Sequence, residues 1–281
     1  MVDALASPWR IQDGNRESTM FKAHFGASAK QINRELNREI LVERLFETLV
    51  SGDRPGARQL VNETFAQNVP AATVLSDLFW PAHEMIENLF RNDQMTTLSY
   101  QLSTRLLRQL VDQVAGRLTV PAATRGTVFA CCGPSQGEEL AAQIAVDLLE
   151  SQGYSVTFTG GGIPSDEIIA QVQERRPTFL LLFASAAADL PGVREVVDTL
   201  REINATPDTR IIVGGGVFAR AEGLADEIGI DLCARNAAEV VELLTGPLPE
   251  AERVAVKRPS RAVARRQSRT TGLDGNSRLA A

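Results

Sequence analysis

The sequence predicts a four-helix bundle followed by a five-stranded parallel, doubly wound sheet of strand order 2-1-3-4-5. Three observations predict it. Apolar residues recur at helical spacing from Ala29 to Leu118. After Pro121 the period is replaced by short, nearly continuous apolar runs of the kind found in strands buried on both faces. Helical patterns alternate with those runs, which is the signature of a parallel sheet built from strand–helix units.

In KQINRELNREILVERLFETLVSG the residues Ile32, Leu36, Ile40, Leu41, Leu45 and Leu49 share one helical face. Gly52 ends that helix and Asp53-Arg54-Pro55 turns the chain into a second, Ala57 to Gln67. Pro70 opens a third, with Val74, Leu75, Leu78, Met85, Ile86 and Leu89 inward, and Pro81 should kink or split it. The fourth runs from about Met95 to Leu118 with Leu98, Leu102, Leu106, Leu107, Leu110 and Val114 on its apolar stripe. Short connections make these four an antiparallel bundle. TVFACCG, YSVTFTG, TFLLLFAS, RIIVGGG and Ile230–Ala234 then read as strands. Between and after them lie helical patterns at Glu138–Ser151, Ser165–Glu174, Val193–Asn204, Ala219–Glu227 and Ala237–Leu244. Five strands with right-handed crossovers fit the flavodoxin-like order. The domain division is a flexible arm (1–28), the helical bundle (29–120), the α/β domain (124–247) and a tail (249–281).

Of 281 residues, 44% are hydrophobic and 23% charged, enough apolar material for a real core. Aromatics are 5%, which argues against a surface of stacked rings for single-stranded nucleic acid. The longest apolar run, Phe179 to Leu190, is too short to span a bilayer, and the N-terminus has no secretory pattern. Three cysteines form no disulfide framework, so the expected compartment is the reducing cytoplasm. His24 and His83 are the two histidines, which excludes a multi-histidine metal site. Residues 251–281 carry eight basic residues against Glu252 and Asp274, a net of +6, so the preceding 250 carry −12 of the total −6. That basic tail is where nucleic acid or an acidic protein could be held.

In a doubly wound sheet, ligands sit outside the carboxyl ends of the strands. The loops expected there are 131–137, Gly160–Gly162 with Ile163-Pro164, 185–188 and Gly214–Gly216 with Val217-Phe218. Three are rich in Gly or Ala and nearly uncharged, which lets backbone approach something large and flat. Magnesium-dependent phosphoacceptor chemistry would need carboxylates where Ala130-Cys131-Cys132 and Ala184-Ser185 stand. The dinucleotide fingerprint, the GxSxG elbow and the P-loop are absent. Cys131 and Cys132 should alternate, one in the core and one lining the cleft, and Cys233 should be core. His83 reads as a bundle histidine.

From about Leu41 to Leu244 the chain resembles the cobalamin-binding domain family, with a helical cap of the light-sensing and regulatory type. The resemblance is carried by the runs at 137–197 (GEELAAQIAVDLLESQGYSVTFTGGGIPSDEII and onward), 210–244 (RIIVGGGVFARAEGLADEIGIDLCARNAAEVVELL) and 86–107 (IENLFRNDQMTTLSYQLSTRLL). The family's cobalt loop, Asp-x-His-x-x-Gly, falls here on Cys132, Pro134 and Gly137, so the cobalt-ligating histidine and its acidic partner are missing. The cap's Trp, nine residues, Glu-His falls on Phe90, nine residues, Tyr100-Gln101. Ser185, Gly160, Gly161, Gly162, Gly214, Gly215 and Gly216 match its tail pocket. What the resemblance implies is a cofactor site of Phe90, Tyr100, Gln101, Cys132, Pro134, Ser135, Gln136, Gly137, Ser185 and those glycines. The expected function is a non-enzymatic regulatory or sensory protein, for instance in transcriptional regulation. It would bind cobalamin or a related tetrapyrrole without a histidine ligand, or hold a protein partner as an apo scaffold. Two alternatives stand beside it, a corrinoid carrier of a methyltransferase system and a haem or bilin sensor.

Deleting residues 251–281 is expected to leave folding and any cleft ligand intact and to weaken salt-dependent association with nucleic acid or an acidic protein. Melting and nucleic-acid titration of the truncated and full chains, at low and moderate salt, check this. A large fall in melting temperature would show the tail packed on the body.

Overall fold

A computed structural model describes residues 37–246 apart from 205 and 222. The expected arm, the basic tail with its nucleic-acid role, Ile32, Leu36 and His24 lie outside the described residues.

Helix α1 covers residues 37–51, and Leu45 and Leu49 are fully buried on its inner face. Asp53 caps α2 (Arg54–Ala66), its carboxylate accepting from Gly56 N at 3.0 Å, with Pro55 in the first turn. Behind Pro70, α3 (Ala71–Val74) runs through a π turn (Leu75–Phe79) into α4 (Trp80–Arg91). Pro81 has no N–H to give the Asp77 carbonyl. The helix absorbs this by widening one turn earlier, where Trp80 N–H donates to Leu75 O, so the expected kink becomes a π turn. Thr96 caps α5 (Thr97–Ala115), accepting from Ser99 N at 3.2 Å. Its buried stripe is Tyr100, Ser103, Thr104, Leu106, Leu107, Leu110, Val111 and Val114. Leu98 and Leu102, expected on that stripe, are 70% and 42% exposed, and Ile40 on α1 is 52% exposed. On α5 the period of 3.6 carries positions 98 and 102 away from the face that Tyr100 and Leu107 define.

The sheet is all parallel in the order β2-β1-β3-β4-β5, as expected. Its strands are β1 (Thr127–Cys132), β2 (Ser155–Gly161), β3 (Phe179–Phe183), β4 (Arg210–Gly214) and β5 (Leu232–Ala234). The crossovers are α6 (Gln136–Ser151), α7 (Ser165–Arg175), α8 (Leu190–Ile203), α9 (Gly216–Arg220) and α10 (Leu224–Ile228), and α11 (Ala237–Thr245) ends the described chain. The helix expected over Ala219–Glu227 is therefore two short ones, broken beside Gly223 at φ +79°. Strand residues alternate between two cores. Val128, Ala130, Leu181, Phe183 and Ile212 face α6, α11 and the helical segment. Phe129, Cys131, Leu180, Leu182 and Val213 face α7 and α8.

Helix α6 is an internal layer. Leu140, Ala142, Ile144, Ala145 and Leu149 are fully buried, in one cluster with α4, α5 and the sheet. Beyond Glu138 in its first turn, a second polar residue is caught in it. Asp147 is 6% exposed; its Oδ1 accepts from Gln143 Nε2 at 2.7 Å while its Oδ2 has no partner. Burial, outweighing the Gln143 bond, pushes its pKa up to about 6, helped by Glu150 and Asp112. A folded-state pKa above the unfolded 3.8 means stability that is present at low pH and lost as pH rises through about 6. Asp147→Asn keeps the Gln143 bond and removes the ionisation. Its gain over the natural chain should therefore grow between pH 4 and pH 7, by up to about 3 kcal/mol, and stay flat above. Urea unfolding of both chains across that range reads it out.

Candidate functional site

Four loops gather at the carboxyl edge of the sheet, and glycines decide how closely. A Cβ at Gly161 would strike the Gly133 carbonyl and lie 3.1 Å from Pro134 Cα, so the end of β2 rests on the β1–α6 loop. A Cβ at Gly214 would lie 2.9 Å from the Phe183 ring. Gly215, at φ +109°, would drive one into the Ala184 backbone. Gly133 N donates to Phe183 O at 3.0 Å and Ala184 N to Gly214 O at 2.9 Å, which stitches three strand ends together.

Ser135 caps α6 in a reciprocal box with Glu138, accepting from Glu138 N at 3.1 Å. Sequence reasoning missed what Glu138 does beyond this. The residue is 3% exposed. Its Oε2 accepts from Ser135 N at 3.3 Å and Ser135 Oγ at 2.9 Å, and its Oε1 accepts from the backbone N of Ser185. Asp189, whose Oδ2 accepts from Ala186 N at 3.0 Å, faces it. Burial, with Asp189 beside it, holds Glu138 above the ordinary carboxylate range. One side chain thus ties the loops after β1 and β3. The S-x-x-E spelling was the available signal for the box, but nothing in sequence marks the reach to Ser185.

The helical segment meets this edge at Gly137. Phe90 and Tyr100 stack at 4.0 Å between ring centroids, and Tyr100 Oη donates to Glu87 Oε1 at 2.8 Å. A Cβ at Gly137 would collide with that Glu87 oxygen and lie 2.7 Å from Tyr100 Oη. Burial raises the pKa of both Glu87 and Tyr100, so the phenol stays protonated and donates to the Glu87 oxygen. Beside them Arg108 donates to Gln136 O at 3.3 Å and pairs with Glu139 at 3.2 Å. The structure therefore brings Phe90, Tyr100 and Gly137 together, and the 133–134 loop with Gly161. Ser185 meets Glu138 and Gly216, whose N lies 3.5 Å from Ser185 Oγ. Gln101 is half-buried on α5 and makes none of these contacts, while Pro134, Ser135 and Gln136 are exposed.

Donor chemistry at the edge is sparse. Cys131 is buried in the α7–α8 core and Cys132 is half-buried towards α6, as the alternation requires. Both thiols are pushed up to about 12, chiefly by burial, Cys132 also by Glu138 and Glu139. Neither is a thiolate at neutral pH in the unliganded protein, which lowers their reactivity as nucleophiles. Cys233 is half-buried rather than core. His83 is 5% exposed in α4, 5.7 Å from the Trp80 ring, and burial lowers its pKa to about 4, so it is neutral. No group of three or more His, Cys, Asp or Glu is placed to hold a metal ion among the described residues.

Two family models of the B12 binding domain match, over residues 126–244 and residues 41–114. Monomethylamine corrinoid protein 1 of Methanosarcina mazei is 21% identical over 213 residues, 74% of this chain and 96% of its own. Dimethylamine corrinoid protein 2 of the same organism is 22% identical over 206 residues, 73% and 95% of the two chains. The solved Methanosarcina barkeri monomethylamine corrinoid protein shares the fold, with a TM-score of 0.65 at 16% identity over 73% of this chain and 97% of its own.

The glycine contacts set a test of sign. Gly161→Ala must displace the 133–134 loop and should destabilise by about 1–3 kcal/mol. Gly192→Ala, in the first turn of α8, meets nothing nearer than 3.7 Å and should stabilise by up to ~1 kcal/mol. Chemical denaturation of the two variants decides it.

Proposed function

Because the chain belongs to the B12-binding domain family, we propose that it is a non-enzymatic corrinoid carrier of the kind that serves methyltransferases. It would hold cobalamin or a related corrinoid at the carboxyl edge of the sheet, with residues 29–120 as the cap over the 124–247 domain. The observation that carries this reading is the closure of the Tyr100–Glu87 pair directly on Gly137, which joins cap and sheet edge into one seam. Support also comes from the relatives, which match along nearly their whole length and are named as corrinoid proteins. These names favour the carrier, stated above as an alternative, over the sensor or transcriptional regulator.

The residues present fit a corrinoid held by its periphery. Gly160, Gly162, Ser185 and Gly216 would line it at the sheet edge, with Gly161, Gly214 and Gly215 setting how closely those loops pack; Phe90, Tyr100 and Gln101 would bound it from the cap, and Cys132 with Pro134–Gln136 would form the near wall beside the covered Gly137. They do not fit cobalt ligation by a histidine from the loop after β1. Pro134 has no donor atom at that place and His83 is enclosed in α4. Bound, a corrinoid supplies a cobalt centre able to change oxidation state; this chain supplies walls, orientation and exclusion of water. A carrier without a reactive group of its own must be loaded and unloaded by a protein partner. Free cysteines suit the reducing cytoplasm as its compartment. No helix among the described residues is long and apolar enough to cross a membrane.

The experiment is to load the full chain with hydroxocobalamin, remove excess by gel filtration and reduce the cobalt to its paramagnetic divalent state. Corrinoid absorbance should co-elute with protein. Uniform 15N labelling of the protein should leave the nitrogen splitting of the resonance spectrum unchanged, because no protein nitrogen is a ligand. Loss of absorbance on the column would overturn the carrier reading, and a label-dependent splitting would place His24 or His83 on the metal.

A further inference from the structure

Arg91, at the end of α4, and Arg220, at the end of α9, come from different parts of the chain and point at one spot. A Cβ at Gly216 would lie 2.5 Å from Arg220 Nη1 and 3.6 Å from Arg91 Nη1, so both guanidiniums converge on the place a side chain would fill. Each is held by its other nitrogen. Arg220 Nη2 donates to Ser185 O at 2.6 Å, and Arg91 Nη2 donates to Asn88 Oδ1. Neither Nη1 has an acceptor, and neither arginine has a carboxylate within 4.0 Å, among the described residues. Glu87 feels the Arg91 charge, but its carboxylate is engaged with Tyr100. Two like charges facing each other over a bare glycine repel, and burial together with Arg91 makes the Arg220 cation harder to keep.

We propose that Arg91, Arg220 and the Gly216 cradle form a site for one phosphate-type oxyanion. A tetrahedral group presents oxygens in more than one plane, so one oxygen can accept from each fork while the charge cancels the repulsion. The glycine is required because any side chain would occupy the oxyanion's place. The group has two possible sources, the phosphodiester of a cobalamin nucleotide or free phosphate. The first rests on the carrier reading; the second does not.

The test uses the full chain, its Arg91→Gln, Arg220→Gln and double variants, and Arg194→Gln as a control in an exposed ion pair. Arg91→Gln leaves the Ser185 contact intact, so a folding defect in Arg220→Gln cannot hide the result. Binding of hydroxocobalamin, of cobinamide (which lacks the nucleotide and its phosphate) and of inorganic phosphate is measured by absorbance titration and by the shift in melting temperature. If the nucleotide is the source, the natural chain prefers cobalamin to cobinamide. Each substitution then costs about tenfold in cobalamin affinity, leaves cobinamide unaffected, and the control changes nothing. If free phosphate is the source, phosphate raises the melting temperature in the natural chain and the Arg194 control but not in the Arg91 or Arg220 variants. Substitutions that alter neither cobalamin affinity nor the phosphate shift overturn the site. Should neither corrinoid bind the natural chain, the carrier reading falls and the phosphate arm alone decides the site.

Discussion

Everything at the carboxyl edge depends on α6 being buried on both sides. Its inner face closes the sheet, its outer face receives α4 and α5, and Ala141, Ala142 and Ala145 keep the layers close. An element in that position cannot shift to suit a neighbour. Its first turn therefore becomes a fixed reference: Ser135 and Glu138 lock the loop before it, Glu138 reaches across to Ser185, and Gly137 receives the cap. The orphaned Asp147 oxygen shows what the same burial costs where the sequence leaves a polar group in the layer.

Much of the fold was legible in the sequence because each signal was local. The strands read as apolar runs, and Gly52, Pro55 and Pro70 punctuated the helices where the structure turns. The exceptions have physical causes. Leu98 and Leu102 obey a helical period but belong to a face that the other described helices do not cover, and only tertiary packing selects between two apolar stripes on one helix. Pro81 announced a disturbance without its form, since a helix can answer a missing N–H by bending or by widening.

The site was less legible. The glycine-rich loops were found, and the structure gives Gly161, Gly214 and Gly215 concrete reasons in the atoms they admit. The charged residues that organise those loops were missed. Glu87, Glu138 and Arg220 look like ordinary solvated charges in sequence; their meaning comes from partners 13 to 47 residues away, Tyr100 for Glu87 and Ser185 for both Arg220 and Glu138. Sequence pattern reports periodicity well and long-range pairing poorly.

The alternation of β1 has a last consequence, for resistance to oxidation. Cys131 and Cys132 are neighbours in sequence, yet the pleat sends one thiol into each of two separate cores. Closing a ring between them would require the strand to give up its extended backbone at the point where β2 and β3 pair with it. Cys131 is buried and Cys132 half-buried, and burial raises the pKa of both, so the reactive thiolate is scarce at each. While the sheet is intact the two neighbours stay on opposite faces and act as separate thiols.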